Sequence, residues 1–341
     1  MDPLTQASLG GAIGAAFFHR KLGRRAVLFG ALAGMSPDLD VLVGLWGDEW
    51  TTLAAHRGPS HSLVVLPFVA VPLGLAACRL FGRAEQRWVW IHLAFWALIT
   101  HPLLDVFTTY GTQLLSPLSD RRFIVDAVAI VDPLFTLPLF IAMLSAYGRR
   151  ASAQGVEHWG RFALGWACVY LAVGYALTLG AQQAARTQLA GEGFEAVAVR
   201  AWTPLFAPGL RRVTAYDVDG EFRVGYRSCL APRPIRWTAF RSEAGPRIDV
   251  ALRSRGGRVF RWFSGGFTQS YRRGDEVVLA DRRYAFVSAP EQTPFLAVAR
   301  FDADGHLVSV SQESGLDRRR LSLERELETA WMLMLGLDPW L

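Results

Sequence analysis

The segment WVWIHLAFWALITHPLLDVFT, residues 88–108, is long and apolar enough for a membrane helix, yet it contains His101 and Asp105. These two side chains are four residues apart, so a helix places them on one face. A charge at the centre of a bilayer costs about 2.5–3.5 kcal/mol even on a lenient scale. A lone His-x3-Asp pair is often only a helix-face hydrogen bond, but in so apolar a segment it favours a functional site.

The composition divides the chain into two unlike halves. Residues 1–185 carry 11 acidic and 13 basic residues, whereas residues 186–341 carry 19 and 23. We expect a transmembrane helical bundle with a metal site in residues 1–185, and a soluble, mostly β extracytoplasmic domain with a C-terminal helix in residues 186–341. The net charge of +6 comes from short loops and dispersed arginines, so a nucleic-acid partner is not expected.

Six apolar segments approach or reach the length of a membrane helix, the first being short. They are residues 4–18, 26–46, 62–81, 88–108, 127–147 and 162–181. The loops after the first, third and fifth segments hold ten basic residues, against three in the loops between them. The ten are Arg20, Lys21, Arg24, Arg25, Arg79, Arg83, Arg87, Arg149, Arg150 and Arg161. The positive-inside rule then predicts an inner-membrane protein whose C-terminal domain is periplasmic.

The second half consists of short β-branched and aromatic runs separated by turns, which is typical of strands. The expected strands are residues 196–202, 212–217, 221–227, 258–263, 277–281, 284–288, 295–301 and 307–311. The sequences Asp217-Val-Asp-Gly220 and Asp302-Ala-Asp-Gly305 predict hairpin turns. Ser322 is expected to cap a helix over residues 322–335.

Two carboxylates stand two residues apart in Ser36-Pro-Asp-Leu-Asp40, where the proline disturbs the helix. Like charges so close repel unless a cation or a proton lies between them. The alternative is a solvated helix end in headgroup water. Since the apolar run continues over residues 41–46, the pair favours a cation site.

The loop His56-Arg-Gly-Pro-Ser-His-Ser62 is the densest polar cluster in the first half. Gly58 and Pro59 break regular structure, which lets the two histidines converge. Arg57 is a candidate for binding an anionic group in a substrate or transition state. The alternative is an interfacial loop whose histidines face water.

With the predicted orientation, all the intramembrane candidates map to the outer side of the membrane. They are Asp38, Asp40, His56, His61, His101, Asp105 and Asp132. Asp132 precedes Pro133, and three roles are open for it: a further metal ligand, a partner that orients a histidine, or an acid at a helix start.

These motifs resemble those of a bacterial inner-membrane family of metal-dependent hydrolases, also described as LexA-binding, inner membrane-associated hydrolases. The resemblance covers about residues 1–145 and is carried by the ordered motifs at 36–40, 56–62 and 100–105. It implies a multi-pass protein with a metal site formed by Asp38, Asp40, His56, His61, His101 and Asp105. Some members have His where this chain has Gln6, which leaves a ligand from the first helix open.

Three functions fit these residues. The first is a membrane-embedded hydrolase with one or two divalent ions, zinc being favoured by the histidines, acting on an amphiphilic or anionic ester or phosphoester. Asp40 or Asp132 is then the expected general base, and Arg57 neutralises developing charge. The second is an ion-coupled transporter, whose sites usually lie near the bilayer midplane. The third is a scaffold with a structural metal, and clustering at one end favours the hydrolase over the transporter.

Overall fold

The computed structural model describes residues 1–82, 84–148, 152–317 and 322–337. The chain forms two units, which we call the helical unit (Met1–Val43 and Ala55–Tyr175) and the C-terminal unit (Gly44–Ala54 and Ala176–Leu341). Arg83, Arg149 and Arg150 of the predicted cytoplasmic loops lie outside the described residues, as do residues 338–341 of the predicted C-terminal domain.

The N-terminal half is helical. Its α-helices are α1 (Pro3–Ile13), α2 (His19–Leu22), α3 (Arg24–Met35), α4 (Glu49–Ala55), α5 (Leu66–Phe81), α6 (Arg87–Asp105), α7 (Pro133–Ser145) and α8 (Ala153–Gly191). A π-helical turn (Gly14–Phe18) follows α1, and 3-10 helices cover Ser36–Leu45, Pro59–His61 and Ala84–Gln86.

The prediction of six membrane spans is not supported. Within the described ranges, Arg24–Leu45 and Ala153–Gly191 are long and apolar enough to cross a membrane, and the bent pair Glu49–His61 and Leu66–Phe81 counts as a third if it forms one span. The helices α1 and α7 have only 11 and 13 residues, whereas a span needs about 20. α6 has 19 residues, but its tryptophans and histidines lower its mean hydropathy.

Glycines let α1 and α3 cross at very short range. A Cβ atom on Gly10 would lie 2.0 Å from the carbonyl oxygen of Gly30, and one on Gly34 would lie 2.7 Å from the carbonyl oxygen of Gln6. Small residues at such seams allow helix backbones in membranes to approach closely. The seam therefore brings the first turns of α1 against the end of α3, where the predicted site residues begin.

The C-terminal unit contains two four-stranded antiparallel sheets, each with its strands in chain order. The first consists of β1 (Ala198–Trp202), β2 (Leu210–Tyr216), β3 (Glu221–Ser228) and β4 (Thr238–Arg241). The second consists of β5 (Thr268–Arg273), β6 (Glu276–Asp281), β7 (Leu296–Phe301) and β8 (Leu307–Glu313). Helices α9 (Pro246–Arg253) and α10 (Arg255–Ser264) lie between the sheets in sequence, and α11 (Leu323–Met334) packs against β3. The predicted hairpins β2–β3 and β7–β8 and the late helix are confirmed.

Two of the predicted strands are wrong. Residues 258–263 belong to α10, because Phe260 and Phe263, three residues apart, bury one helical face, and Ser254 caps the helix start. Residues 284–288 form a loop, since the carboxylate of Glu326 accepts the backbone N–H groups of Val287 and Ser288, at 2.6 and 2.8 Å. The elements β4, β5 and α9 were not predicted.

Candidate metal site

Four donor side chains from three stretches of chain converge in the helical unit. They are Asp38, His61, His101 and Asp105, and one ligand atom of each lies within 4.8 Å of the other three. Asp38 lies on the 3-10 helix after α3, His61 on the 3-10 helix before α5, and the other two on the last turns of α6. Asp38 keeps 21% side-chain exposure, whereas the remaining three are fully buried.

The spacing of the donor atoms fits a single small cation. The two Nε2 atoms of His61 and His101 are 3.0 Å apart, and each lies 3.4 Å from Asp38 Oδ1. Asp105 Oδ2 lies 3.3 Å from the first ring nitrogen and 3.6 Å from the second. Tetrahedral zinc with bonds of about 2.0–2.1 Å separates its ligand atoms by about 3.4 Å.

Hydrogen bonds on the far side of both rings determine which nitrogen faces the cluster. His101 Nδ1 lies 2.5 Å from the carbonyl oxygen of Gly34, which can only accept, so Nδ1 carries the proton. His61 Nδ1 lies 2.9 Å from Ser60 Oγ and 3.4 Å from Asp40 Oδ2. Such partners commonly orient metal-binding histidines and leave the lone pair of Nε2 available.

Asp105 shows most directly that the cluster suits a cation. Its Oδ2 atom is buried, faces the two histidines and has no hydrogen-bond partner in the described part of the chain. Its Oδ1 atom accepts from Gln6 Nε2 at 2.9 Å. A buried acceptor without a hydrogen bond loses part of its hydration, and the Arg57 guanidinium 3.1 Å away offsets that loss only through its charge. A cation among the four donors removes that loss.

Asp40 and His56, both predicted as ligands, lie behind His61 and outside the group of four. Asp40 Oδ1 is 2.8 Å from His56 Nδ1, and Asp40 Oδ2 accepts from Ser60 Oγ at 2.8 Å. The same oxygen accepts from the backbone N–H of Arg57 at 2.8 Å. These contacts indicate that Asp40 orients His61 and anchors the loop that carries it.

Arg57 is buried against the carboxylate of Asp105. Its Nε lies 3.1 Å from Asp105 Oδ2, outside hydrogen-bond alignment, and its Nη1 donates to Thr108 Oγ1 at 3.1 Å. The guanidinium also lies 4.9 Å from the centroid of the Tyr110 ring. Its backbone has φ of +58°, a left-handed conformation that costs a non-glycine residue free energy. Strain of this kind is typical of functional sites.

Asp132 begins a helix in this structure. Its Oδ1 accepts from the backbone nitrogens of Leu134 and Phe135, at 3.1 and 3.3 Å, which makes it the N-cap of α7. Its Oδ2 accepts from the hydroxyl of Tyr170 at 2.8 Å. Of the three roles left open, these contacts show the helix-start role, and they lend no support to Asp132 as general base.

Sequence reasoning missed two partners of the histidines. The carbonyl of Gly34 is a backbone group, for which a side-chain pattern carries no signal, although the glycines of the α1–α3 seam point to close packing there. Ser60 bridges Asp40 and His61. Gln6, left open above, contacts Asp105 and the carbonyl oxygen of His101, at 2.9 and 3.3 Å.

Comparisons with known proteins agree with a membrane location. The model of the family described as YdjM inner membrane protein matches residues 1–182. Inner membrane protein YbcI of Escherichia coli (strain K12) is 34% identical over 125 residues, which is 35% of this chain and 69% of that protein. The protein YfhP of Bacillus subtilis (strain 168) is 29% identical over 124 residues, so the chain spans 36% of that relative's length and the match takes in 36% of this chain. No solved structure matches the chain significantly.

The descriptions of the family and of YbcI name a membrane location and no reaction. Hydrolase activity and LexA binding, both implied by the resemblance, therefore stay predictions. The family match covers more than half of the chain and includes all four converging donors. The chain therefore belongs to the YdjM inner membrane protein family.

Proposed function

We propose that this inner-membrane protein is a metal-dependent hydrolase that holds a divalent cation between Asp38, His61, His101 and Asp105. The observation that carries the proposal is the convergence of two imidazole nitrogens and two carboxylate oxygens, with Asp105 Oδ2 left without a hydrogen bond. With neutral imidazoles the four donors carry two negative charges. Arg57 and the Met1 ammonium already pair with Asp105, so the carboxylate of Asp38 is the charge that a cation would newly balance. Two nitrogen and two oxygen donors at tetrahedral spacing suit zinc.

When bound, such an ion activates water for attack and polarises the scissile bond of an ester or phosphoester. The protein supplies position and charge around it. Asp40 accepts three hydrogen bonds from residues 56–60, which suits positioning of His61 better than the general-base role predicted for it. Asp38 is the most exposed of the four donors. We therefore propose that the site opens on the side of Asp38 and that its carboxylate transfers the proton.

Arg57 supports an anionic substrate. Its guanidinium lies against Asp105 inside the apolar bundle, where a cation stabilises negative charge more strongly than in water. Because the family is an inner-membrane family, the substrate we expect is an amphiphilic or anionic small molecule with an ester or phosphoester bond.

The test is turnover by the purified full chain in detergent. Chromogenic carboxylic esters, phosphomonoesters and phosphodiesters serve as probes, before and after chelation and after zinc is restored. We expect chelator-sensitive turnover of at least one probe, lost in His101→Ala and kept in His306→Ala, whose side chain is exposed in the C-terminal unit. Metal-loaded protein that turns over none of the probes would overturn the hydrolase proposal.

One observation favours a second candidate, a structural metal ion that holds the helices together. Four protein donors at tetrahedral spacing can complete the coordination shell and leave no position for water. The two candidates differ in access: azide added to the Co²⁺-substituted protein changes the visible absorption of an open site and leaves that of a closed site unchanged. The transporter is disfavoured, since the donors lie where α3 and α6 end and before α5 begins.

A further inference from the structure

The segment Gly44–Ala54 belongs to the C-terminal unit, although it lies in sequence between two parts of the metal site. Asp38 and Asp40 precede it, and His56 and His61 follow it. The segment of residues 41–55, which contains α4 and is called the 41–55 loop below, therefore leaves the metal site, contributes to the other unit and returns.

Trp50 is the main anchor of this segment within the C-terminal unit. Its side chain is 6% exposed, and its indole N–H donates to the carbonyl oxygen of Val310 on β8 at 3.0 Å. The ring lies directly on the backbone of α10, because a Cβ atom on Gly256 would approach it to 2.8 Å. A buried tryptophan whose N–H is satisfied contributes a large contact area at a defined position.

Polar contacts surround this anchor. Arg255 pairs with Asp48 and donates to Thr51 Oγ1 at 2.7 Å, and Gln312 Nε2 donates to the carbonyl oxygen of Glu49 at 2.8 Å. The hydrogen bonds from Arg255 and Thr51 hold the pKa of Asp48 at about 2, so the ion pair persists at every physiological pH. An exposed pair of this kind contributes little stability, and its value lies in selecting one docked position.

Inside the helical unit, the two ends of the same loop are tied together beside the metal site. Asp40 lies 2.8 Å from His56 Nδ1 and 2.8 Å from the backbone nitrogen of Arg57. Asp40 is also the carboxylate that, with Ser60, faces the Nδ1 side of His61. A shift of the loop therefore reaches a metal-ligand candidate through a single residue.

We infer that the C-terminal unit grips the 41–55 loop through Trp50 and Arg255 and thereby positions Asp40 and His61 for metal binding. The inference rests on the proposed metal site and adds a role for the C-terminal unit. Trp50 and Arg255 are positioning residues under this inference, since their described contacts join the loop to β8 and α10 and involve none of the four donors. Loss of the Trp50 and Arg255 contacts then weakens metal binding without removing any of the four donors.

The test measures Co²⁺ binding by the visible absorption of the full chain in detergent. Trp50→Ala removes the indole ring, and Gly256→Leu places a side chain where that ring packs. Both are expected to lower Co²⁺ affinity by about 10–100-fold, the usual effect of losing partners that orient ligands. Asp48→Arg is expected to weaken binding, and the charge swap Asp48→Arg with Arg255→Asp to restore both affinity and band shape. These exposed positions tolerate substitution, so the swap stays informative if the Trp50 variant does not fold.

Controls distinguish loss of the contacts that hold the loop, which we call the grip, from general destabilisation of the C-terminal unit. Arg273→Asp breaks an exposed ion pair with Glu276, and Trp331→Ala removes a half-exposed tryptophan of α11. Both are expected to leave the Co²⁺ spectrum unchanged. If the wild-type protein binds no Co²⁺, the metal site itself is wrong. If the wild type binds and all grip variants match it, the positioning role of the C-terminal unit is wrong.

Discussion

At the residue scale, the cost of burying charge made the site predictable. Asp38, His61, His101 and Asp105 were singled out because ionisable side chains in apolar segments need partners. The sequence could not show that these four side chains form the donor group while Asp40 and His56 lie outside it. Asp38 and Asp40 lie on a 3-10 helix with about three residues per turn, so residues two apart point to different faces. One therefore faces the donors and the other the back of His61.

The roles of Asp40 and the four donors differ in a measurable way. Asp40→Asn removes the charge that orients His61 but no atom of the cluster, so we expect metal affinity to fall by about 10–100-fold. The stoichiometry at saturating metal should stay equal to that of the wild type. Titration with Zn²⁺ followed by elemental analysis measures both. Loss of bound metal at saturation would show that Asp40 is itself a ligand, as the resemblance implies.

At the element scale, the sequence pattern predicted that helices exist, but caps, prolines and packing determined where they begin and end. The apolar segment 127–147 suggested one long helix, but α7 begins only at Pro133, because Asp132 caps it and the proline fits the first turn. The apolar segment 4–18 is helical, yet it changes to a π-helical turn at Gly14. Hydropathy therefore predicted that these segments are helical, whereas the residues at which each helix begins and ends depend on caps and prolines.

The glycine seam between α1 and α3 provides a prediction at this scale. Gly10→Ala puts a methyl group against the Gly30 carbonyl and is expected to cost about 1–3 kcal/mol of stability through overpacking. Since α1 carries Gln6 and α3 carries the Gly34 carbonyl, metal affinity should fall as well. Thermal unfolding monitored by circular dichroism, with a parallel metal titration, measures both effects.

Gly165 on α8 is the matched control for this variant. Among the described residues, no atom outside its own stretch of helix lies within 4 Å of the position that a Cβ atom would take there. Gly165→Ala should leave metal affinity unchanged and keep or slightly raise the unfolding temperature, because alanine is the better helix former. Equal unfolding temperatures for the Gly10 and Gly165 variants would contradict the close crossing of α1 and α3.

At the scale of the whole molecule, the basic residues around α2 and the start of α3 lie at the opposite end of the helical unit from the four donors. Arg24 at the start of α3 donates to the carbonyl oxygen of Ala146 after α7 at 2.8 Å, and Arg20 pairs with Glu157 near the start of α8 at 2.9 Å. The donors lie at the other ends of α3 and α6. The positive-inside rule predicts from this distribution that α8 starts in the cytoplasm and that the C-terminal unit is periplasmic.

This orientation is tested with a cysteine at Val218, which is 82% exposed in the turn between β2 and β3. In a chain whose three cysteines are replaced, Val218→Cys should react with a membrane-impermeant maleimide in intact cells. A cysteine at Lys21, on the basic end, should react only after lysis. The reverse pattern would place the C-terminal unit in the cytoplasm.

Metal content is the most direct test of the account, because every functional argument depends on one cation among four side chains. Purified full chain should contain one divalent ion per molecule by elemental analysis. His101→Ala should contain none while still inserting into the membrane, since one donor of the four and its Gly34 contact are lost. A wild-type protein without metal, or a His101→Ala protein with the same content as the wild type, would contradict the account.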